Sequence, residues 1–195
     1  MNLDRATQFY LAAAGFVSWP SGGVLTGSSQ GAQLCAPNVG LLLLPADSSQ
    51  QAVRRQVCEA GIAHLCVQTP AIQQVVSQMQ ALGSQLHSEP IDLGTGFLYC
   101  YARDPEHNVI EVECVAPVWA DPRPWVAHVN IVTHDLPRLC RFYSALLGVE
   151  AVRSPRLRDD PRLDAIADLP GVQVKAAWLD AGNAQIELMQ YLQPA

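Results

Sequence analysis

Apolar residues recur at helical spacing in three places along the chain. From Leu136 onward, Leu136, Leu139, Cys140, Tyr143, Leu146 and Leu147 share one face, and Gly148 stands where a C-terminal cap belongs. A second face, formed by Ile72, Val75, Val76, Met79 and Leu82, ends at Gly83. The third emerges by comparison: LDRATQFYLAAAGF from Leu3 matches LPRLCRFYSALLGV from Leu136 at a constant offset of 133 residues. That offset pairs Arg5 with Arg138, Phe9 and Tyr10 with Phe142 and Tyr143, and Gly15 with Gly148. All three segments read as amphipathic helices stopped by glycine.

Short apolar runs precede two of these helices, Ile62 to Val67 in the middle and Val126 to Val132 near the end. Strand-like segments follow, punctuated by Gly, Asn, Asp or Pro: Phe97 to Ala102, Val109 to Val115, Val172 to Leu179 and Ala184 to Tyr191. The repeating unit is βαβββ, which makes the chain an α+β protein. It divides into an incomplete first module (1–46), a middle module (60–115) and a last module (125–193). Residues 116–124 form a linker whose Pro117, Pro122 and Pro124 interrupt any strand ladder. The repeat places the first module's leading strand before Met1, so about eleven strands are expected.

Composition narrows the possibilities. With 49% hydrophobic and 15% charged residues the chain is expected to fold around a substantial core. A net charge of −6 gives no general attraction to phosphate backbones, which argues against nucleic acid. The apolar runs Val39 to Leu44 and Ala60 to Val67 fall far short of the ~20 residues that span a bilayer. Asp4, Arg5 and Gln8 break any secretory leader, so a cytoplasmic location is expected. The six cysteines include no CxxC pair and are expected to be free thiols.

Chemistry-bearing residues occupy matching places in the repeat. His64 lies in IAHLCV and His128 in VAHVNIV, the leading runs of the middle and last modules. Glu111 in VIEVEC and Glu187 in QIELMQ lie in their closing runs. Imidazole and carboxylate groups on rigid strands suit Fe2+, Mn2+, Ni2+, Co2+ or Zn2+ and leave positions open for water or substrate. A histidine alone in an apolar run is more often a hydrogen-bonded core residue. Here the repetition, in strands where an unpaired carboxylate would be costly, favours a metal site. The first module has Leu42 where Glu187 stands and lacks the histidine position, so it is expected to supply no ligand. His107 and His134 read as turn or capping residues, and His87 has no assignable role.

The βαβββ repeat, the HVxIVxxDLxRxxxFYxxLLG string from His128 to Gly148, and RDPEHNVIEVE from Arg103 to Glu113 resemble the vicinal oxygen chelate superfamily. Its members include glyoxalase I, methylmalonyl-CoA epimerase, extradiol ring-cleavage dioxygenases, and bleomycin and fosfomycin resistance proteins. The resemblance implies cupped mixed sheets with metal ligands on the first and last strand of each module, namely His64, Glu111, His128 and Glu187. It also implies that the first and middle modules pair, which leaves the last module's apolar face for a homodimer to cover. Direct pairing of middle with last is the alternative that assembles all four ligands.

Three functions are compatible with these residues. One is a metal-dependent isomerase, epimerase or lyase that moves a proton on a small oxygen-rich substrate, with Glu187 or Glu111 as general base. Tyr99, Tyr101, Lys175 and Trp178 would line the substrate cup. Another is an extradiol dioxygenase with Fe2+ held by His64, His128 and Glu187. The last is a metal-free protein that binds a small molecule or drug.

Overall fold

The structure, a computed structural model, describes residues 2–19, 31–45, 53–94, 96–117, 121, 123–154 and 157–194. Helices α1 (Leu3–Ala12), α2 (Ile72–Ala81) and α3 (Leu136–Leu147) occupy the three periodic segments. The side chains of Asn2 and Asp135 accept hydrogen bonds from the Arg5 and Arg138 amides and so satisfy orphan donors at the starts of α1 and α3. Of the three glycines, only Gly148 is the immediate left-handed cap, at φ 71°. Helices α1 and α2 stop at Ala12 and Ala81, and Gly15 and Gly83 lie beyond them in the following turns.

Gly15 carries a second constraint. A Cβ at this position would collide with the ring of Pro124, so the first module and the linker meet backbone to ring. Gly15→Ala is therefore expected to destabilise by about 1–3 kcal/mol through strain and overlap together. Nothing lies within 4 Å of a Cβ at Gly148, so Gly148→Ala is expected to cost only about 1 kcal/mol of backbone strain. Thermal unfolding of the two variants checks the ranking, and equal losses would remove the clamp.

Twelve strands are present among the described residues, where about eleven were expected. The first module contributes β1 (Val17–Ser18), β2 (Ala32–Cys35) and β3 (Gly40–Leu43), an antiparallel sheet in the order β1-β2-β3. The middle module supplies β4 (Gly61–Thr69), β5 (Gln85–Leu86), β6 (Ile91–Asp92), β7 (Leu98–Arg103) and β8 (Val109–Cys114). The last supplies β9 (Trp125–Val132), β10 (Val152–Arg153), β11 (Gln173–Asp180) and β12 (Gln185–Gln193). These two modules form one sheet in the order β10-β11-β12-β9-β4-β8-β7-β5, with β6 also paired to β7. Each module pairs its first and last strands in parallel, β4 with β8 and β9 with β12, which requires a crossover helix between them. An antiparallel seam between β4 and β9 joins the halves.

The middle and last modules thus pair within one chain, the alternative arrangement, and the seam is the reason. It changes the expectation for assembly too. Of Val129, Ile131, Val174, Ala176, Ile186 and Leu188, the face a second copy was expected to cover, Val174, Ala176 and Leu188 are buried inside the chain and the other three are partly buried. Val174 and Ala176 pack on the inner face with a short helix unforeseen in the sequence, α4 (Arg162–Ala167), while Leu188 lies under α3 on the outer face.

The outer face of the middle module carries a double layer. Phe9 and Tyr10 of α1 and Ala13 just beyond it share a core with Val75, Val76 and Met79 of α2 and with Val67, Ile110 and Val112 of the sheet. Tyr10 also donates to Asp104, whose carboxylate accepts from the Glu106 amide and from the amide and side chain of Asn108. The RDPEHN segment is therefore a carboxylate-braced hairpin turn that fastens the first module to the middle one.

Candidate metal centre

Alternation along the strands aims a defined set of side chains at the face opposite α2 and α3. On β4 and β9 these are His64, Cys66, His128 and Asn130. Across the seam His64 is opposite Asn130 and Cys66 is opposite His128. On the flanking strands Glu111 lies beside Cys66 and Glu187 beside Asn130. The arrangement has approximate twofold symmetry: His64 exchanges with His128, Glu111 with Glu187, and Cys66 with Asn130.

The four expected ligands meet. His64 Nε2 lies 3.0 Å from Glu111 Oε2 and 3.6 Å from Glu187 Oε2. His128 Nε2 lies 3.0 Å and 3.2 Å from the same two oxygens, and the two Nε2 atoms are 3.3 Å apart. Strands β8 and β12 are separated by β4 and β9, so a flat sheet would hold Glu111 and Glu187 about 14 Å apart at about 4.8 Å per strand. Their convergence on one point requires the sheet to curl into a cup.

Those separations are what an ion demands. Ligand atoms about 2.1 Å from a common centre stand about 3.0 Å apart at right angles and about 3.4 Å apart at tetrahedral angles. Two imidazole nitrogens and two carboxylate oxygens at 3.0–3.6 Å match both geometries. The donor set, all of it buried, fits a divalent cation. Burial pushes the carboxyl of Glu111 up, but hydrogen bonds from His128 and His64 outweigh it and hold Glu111 down at about 2. Glu187 is likewise held well below the usual carboxylate range. For His64 burial pulls the imidazole down, and the two glutamates more than reverse it. His128 is raised too: burial opposes, while Cys66 and the two carboxylates favour the charged ring. Burial keeps the Cys66 thiol protonated, so the carboxylates are the operative cause.

Two flanking groups escaped the sequence reading. Asn130, fully buried, donates from Nδ2 to Glu187 Oε2 at 3.0 Å, and its Oδ1 has no partner. Cys66, its counterpart in the repeat, forms with Glu111 and Glu113 a second group of close ligand atoms. The signal was available: AHLC and AHVN each place a polar or sulfur side chain two residues after the histidine, on the same strand face.

The other expected site residues divide. Tyr101 packs its ring 4.9 Å from that of His64, and Tyr99 is on the same face of β7. Trp178 lies partly buried beneath the Arg158 guanidinium, 5.2 Å away. Lys175 does not join them. It is exposed on the opposite side of β11 from Val174 and Ala176. His107 sits in its turn at φ 69°, and His134 is exposed before α3. His87, without an assignable role in the sequence, receives one: its Nδ1 is 3.0 Å from the Ile166 carbonyl of α4. Leu42 is partly buried on β3, away from the four ligands. All six cysteines are free, and no helix among the described residues is long and apolar enough to cross a membrane.

Comparison with known proteins agrees with this architecture. A glyoxalase I mutant from Zea mays superposes with a TM-score of 0.68 over 98% of this chain, at 19% identity. A protein described as a putative dioxygenase from Bacillus subtilis subsp. subtilis str. 168 superposes with a TM-score of 0.57 over 94% of the chain, at 13% identity. The chain spans 65% and 58% of those two structures. No curated protein sequence matches it. Residues 1–112 and 125–195 match the model of one family, and the gap between them takes in the proline-rich linker and the end of β8. The chain belongs to the Glyoxalase/Bleomycin resistance protein/Dioxygenase superfamily.

Proposed function

We propose that the protein is a metal-dependent isomerase, epimerase or lyase that moves a proton on a small oxygen-rich molecule. The convergence of two histidines and two glutamates on one buried point carries this reading. A bound divalent ion would supply Lewis-acid polarisation of two neighbouring substrate oxygens. The protein's own groups do the rest. His64 and His128 hold fixed positions on the two central strands. The Asn130 amide pins Glu187 Oε2. Glu111 faces the two imidazoles without such an amide, so of the two glutamates it is the one assigned to take up and return the proton. Glu111 is itself buried, which keeps bulk water from that proton.

A second carboxylate at the centre also separates this reading from the extradiol one, whose triad of two histidines and one glutamate leaves Glu111 without a task. The metal-loaded protein, offered a panel of small α-hydroxyketones and keto acids in deuterated water, should exchange a carbon-bound proton in one of them. Glu111→Gln, assayed at saturating metal because one of the four ligands is altered, is expected to slow the exchange by about a hundredfold or more. Unchanged exchange in that variant would place the base elsewhere, and absence of exchange across the panel would set the proton-transfer reading aside.

A further inference from the structure

At the end of α4, three arginines line a cavity of about 220 Å³ together with Gln56, Ala167 and Asp168: Arg54, Arg55 and Arg103. Arg103 sets this cluster apart. It is only 3% exposed, at the end of β7, two residues beyond Tyr101 on the same strand face. Its Nη1 and Nη2 donate to the backbone carbonyls of His107 and Arg55, and its Nε has no partner. A buried guanidinium that meets only neutral acceptors is an uncompensated charge.

The nearest carboxylates are already engaged by more exposed arginines. Asp168 pairs with Arg54 at 3.2 Å, and Glu59 pairs with Arg55 at 3.3 Å while also accepting from the Gln56 amide. Burial and the neighbouring Arg54 both act against the Arg103 charge, and Asp168 and Glu59 do not restore it. A second cavity, lined by Arg103, Arg55 and Gln56 of this cluster, also has His64 in its lining.

We infer that Arg103, with Arg54 and Arg55, forms a recognition site for an oxyanion, a carboxylate or phosphate group carried at the end of the substrate remote from the metal centre. An anion there supplies the missing counter-charge. Its role as a substrate subsite rests on the function proposed above. The binding of the anion does not. A substrate held this way spans the distance from the guanidinium to the four ligands, and the site admits anionic molecules over neutral ones.

Titration calorimetry at fixed ionic strength, on full-length protein stripped of metal by a chelator, separates the two ideas because no ion is present to capture the anion. Inorganic phosphate and malonate are the probes, and whichever binds more tightly identifies the group. Saturable binding with a dissociation constant on the order of millimolar is expected. Arg103→Gln should weaken it at least about tenfold. Should loss of the buried guanidinium prevent folding, the half-exposed pair Arg54→Gln/Arg55→Gln carries the test, with weakening of about the same size. Absence of saturable binding up to about 50 mM of either anion, or binding indifferent to both variants, overturns the proposal. Binding to the stripped protein stands even if the metal reading fails, and metal content measured separately decides the latter.

Discussion

Replacing His128 by alanine is expected to remove the metal ion and the turnover in one step. Its Nε2 is the atom nearest both carboxylates at once, at 3.0 Å and 3.2 Å. Without it the ion keeps one imidazole and loses the only ligand contributed by β9. Affinity should fall more than about a hundredfold, beyond what loss of an outer hydrogen-bond partner costs. Stability is affected as well. Glu111 and Glu187 are buried, and truncating a partner of buried charges costs about 3–5 kcal/mol. Metal content by mass spectrometry, activity and thermal unfolding are the three readouts, with Leu42→Ala and His107→Ala as controls that leave metal and turnover unchanged. Full metal occupancy in His128→Ala at wild-type affinity would end the four-ligand site.

Metal uptake should release protons, and its affinity should climb steeply with pH. In the metal-free protein the two buried glutamates raise His64 and His128 above their ordinary value of 6.5, which favours the protonated rings. An ion needs those nitrogens bare. One to two protons must leave, which makes affinity rise about ten- to hundredfold per pH unit. The metal-free protein behaves differently. Stability contributed by the lowered glutamates is present above their ordinary 4.5 and, for Glu111, is lost as pH falls toward about 2. Stability contributed by the raised histidines is complete below 6.5 and is lost as pH rises through their elevated values. The stripped protein should therefore be most stable between pH 4.5 and 6.5, while the loaded protein gains toward higher pH. Calorimetry in buffers of different ionisation enthalpy counts the protons, and a flat affinity between about pH 6 and pH 8 would contradict the scheme.

The repeat made much of this legible. An offset match between two helices revealed the modules, and the same bookkeeping singled out His64, His128, Glu111 and Glu187 before any geometry was known. Pairing of the modules was not legible, because strand-to-strand register across 60 or more residues leaves no local trace, and both pairings bury similar apolar faces. Helix α4 was missed for a different reason. Its six residues show only Leu163 and Ile166 at helical spacing, in a segment crowded with arginine, aspartate and proline. Lys175 was misplaced by a parity error. It stands three residues from Trp178, and an odd separation along one strand sends two side chains to opposite faces. Tyr99 and Tyr101, two apart, share a face as expected.

The approximate twofold about the β4–β9 seam has a stereochemical consequence. Were the symmetry perfect, the two sides of the ion would be equivalent, and a flat substrate bridging the seam would meet the same carboxylate on either face. Cys66 and Asn130 break that equivalence, since one glutamate stands beside a thiol and the other is fastened by an amide. Under the proposed proton transfer the two glutamates would therefore not be interchangeable: a bound molecule would meet an amide-fastened Glu187 on one side and a Glu111 without that amide on the other.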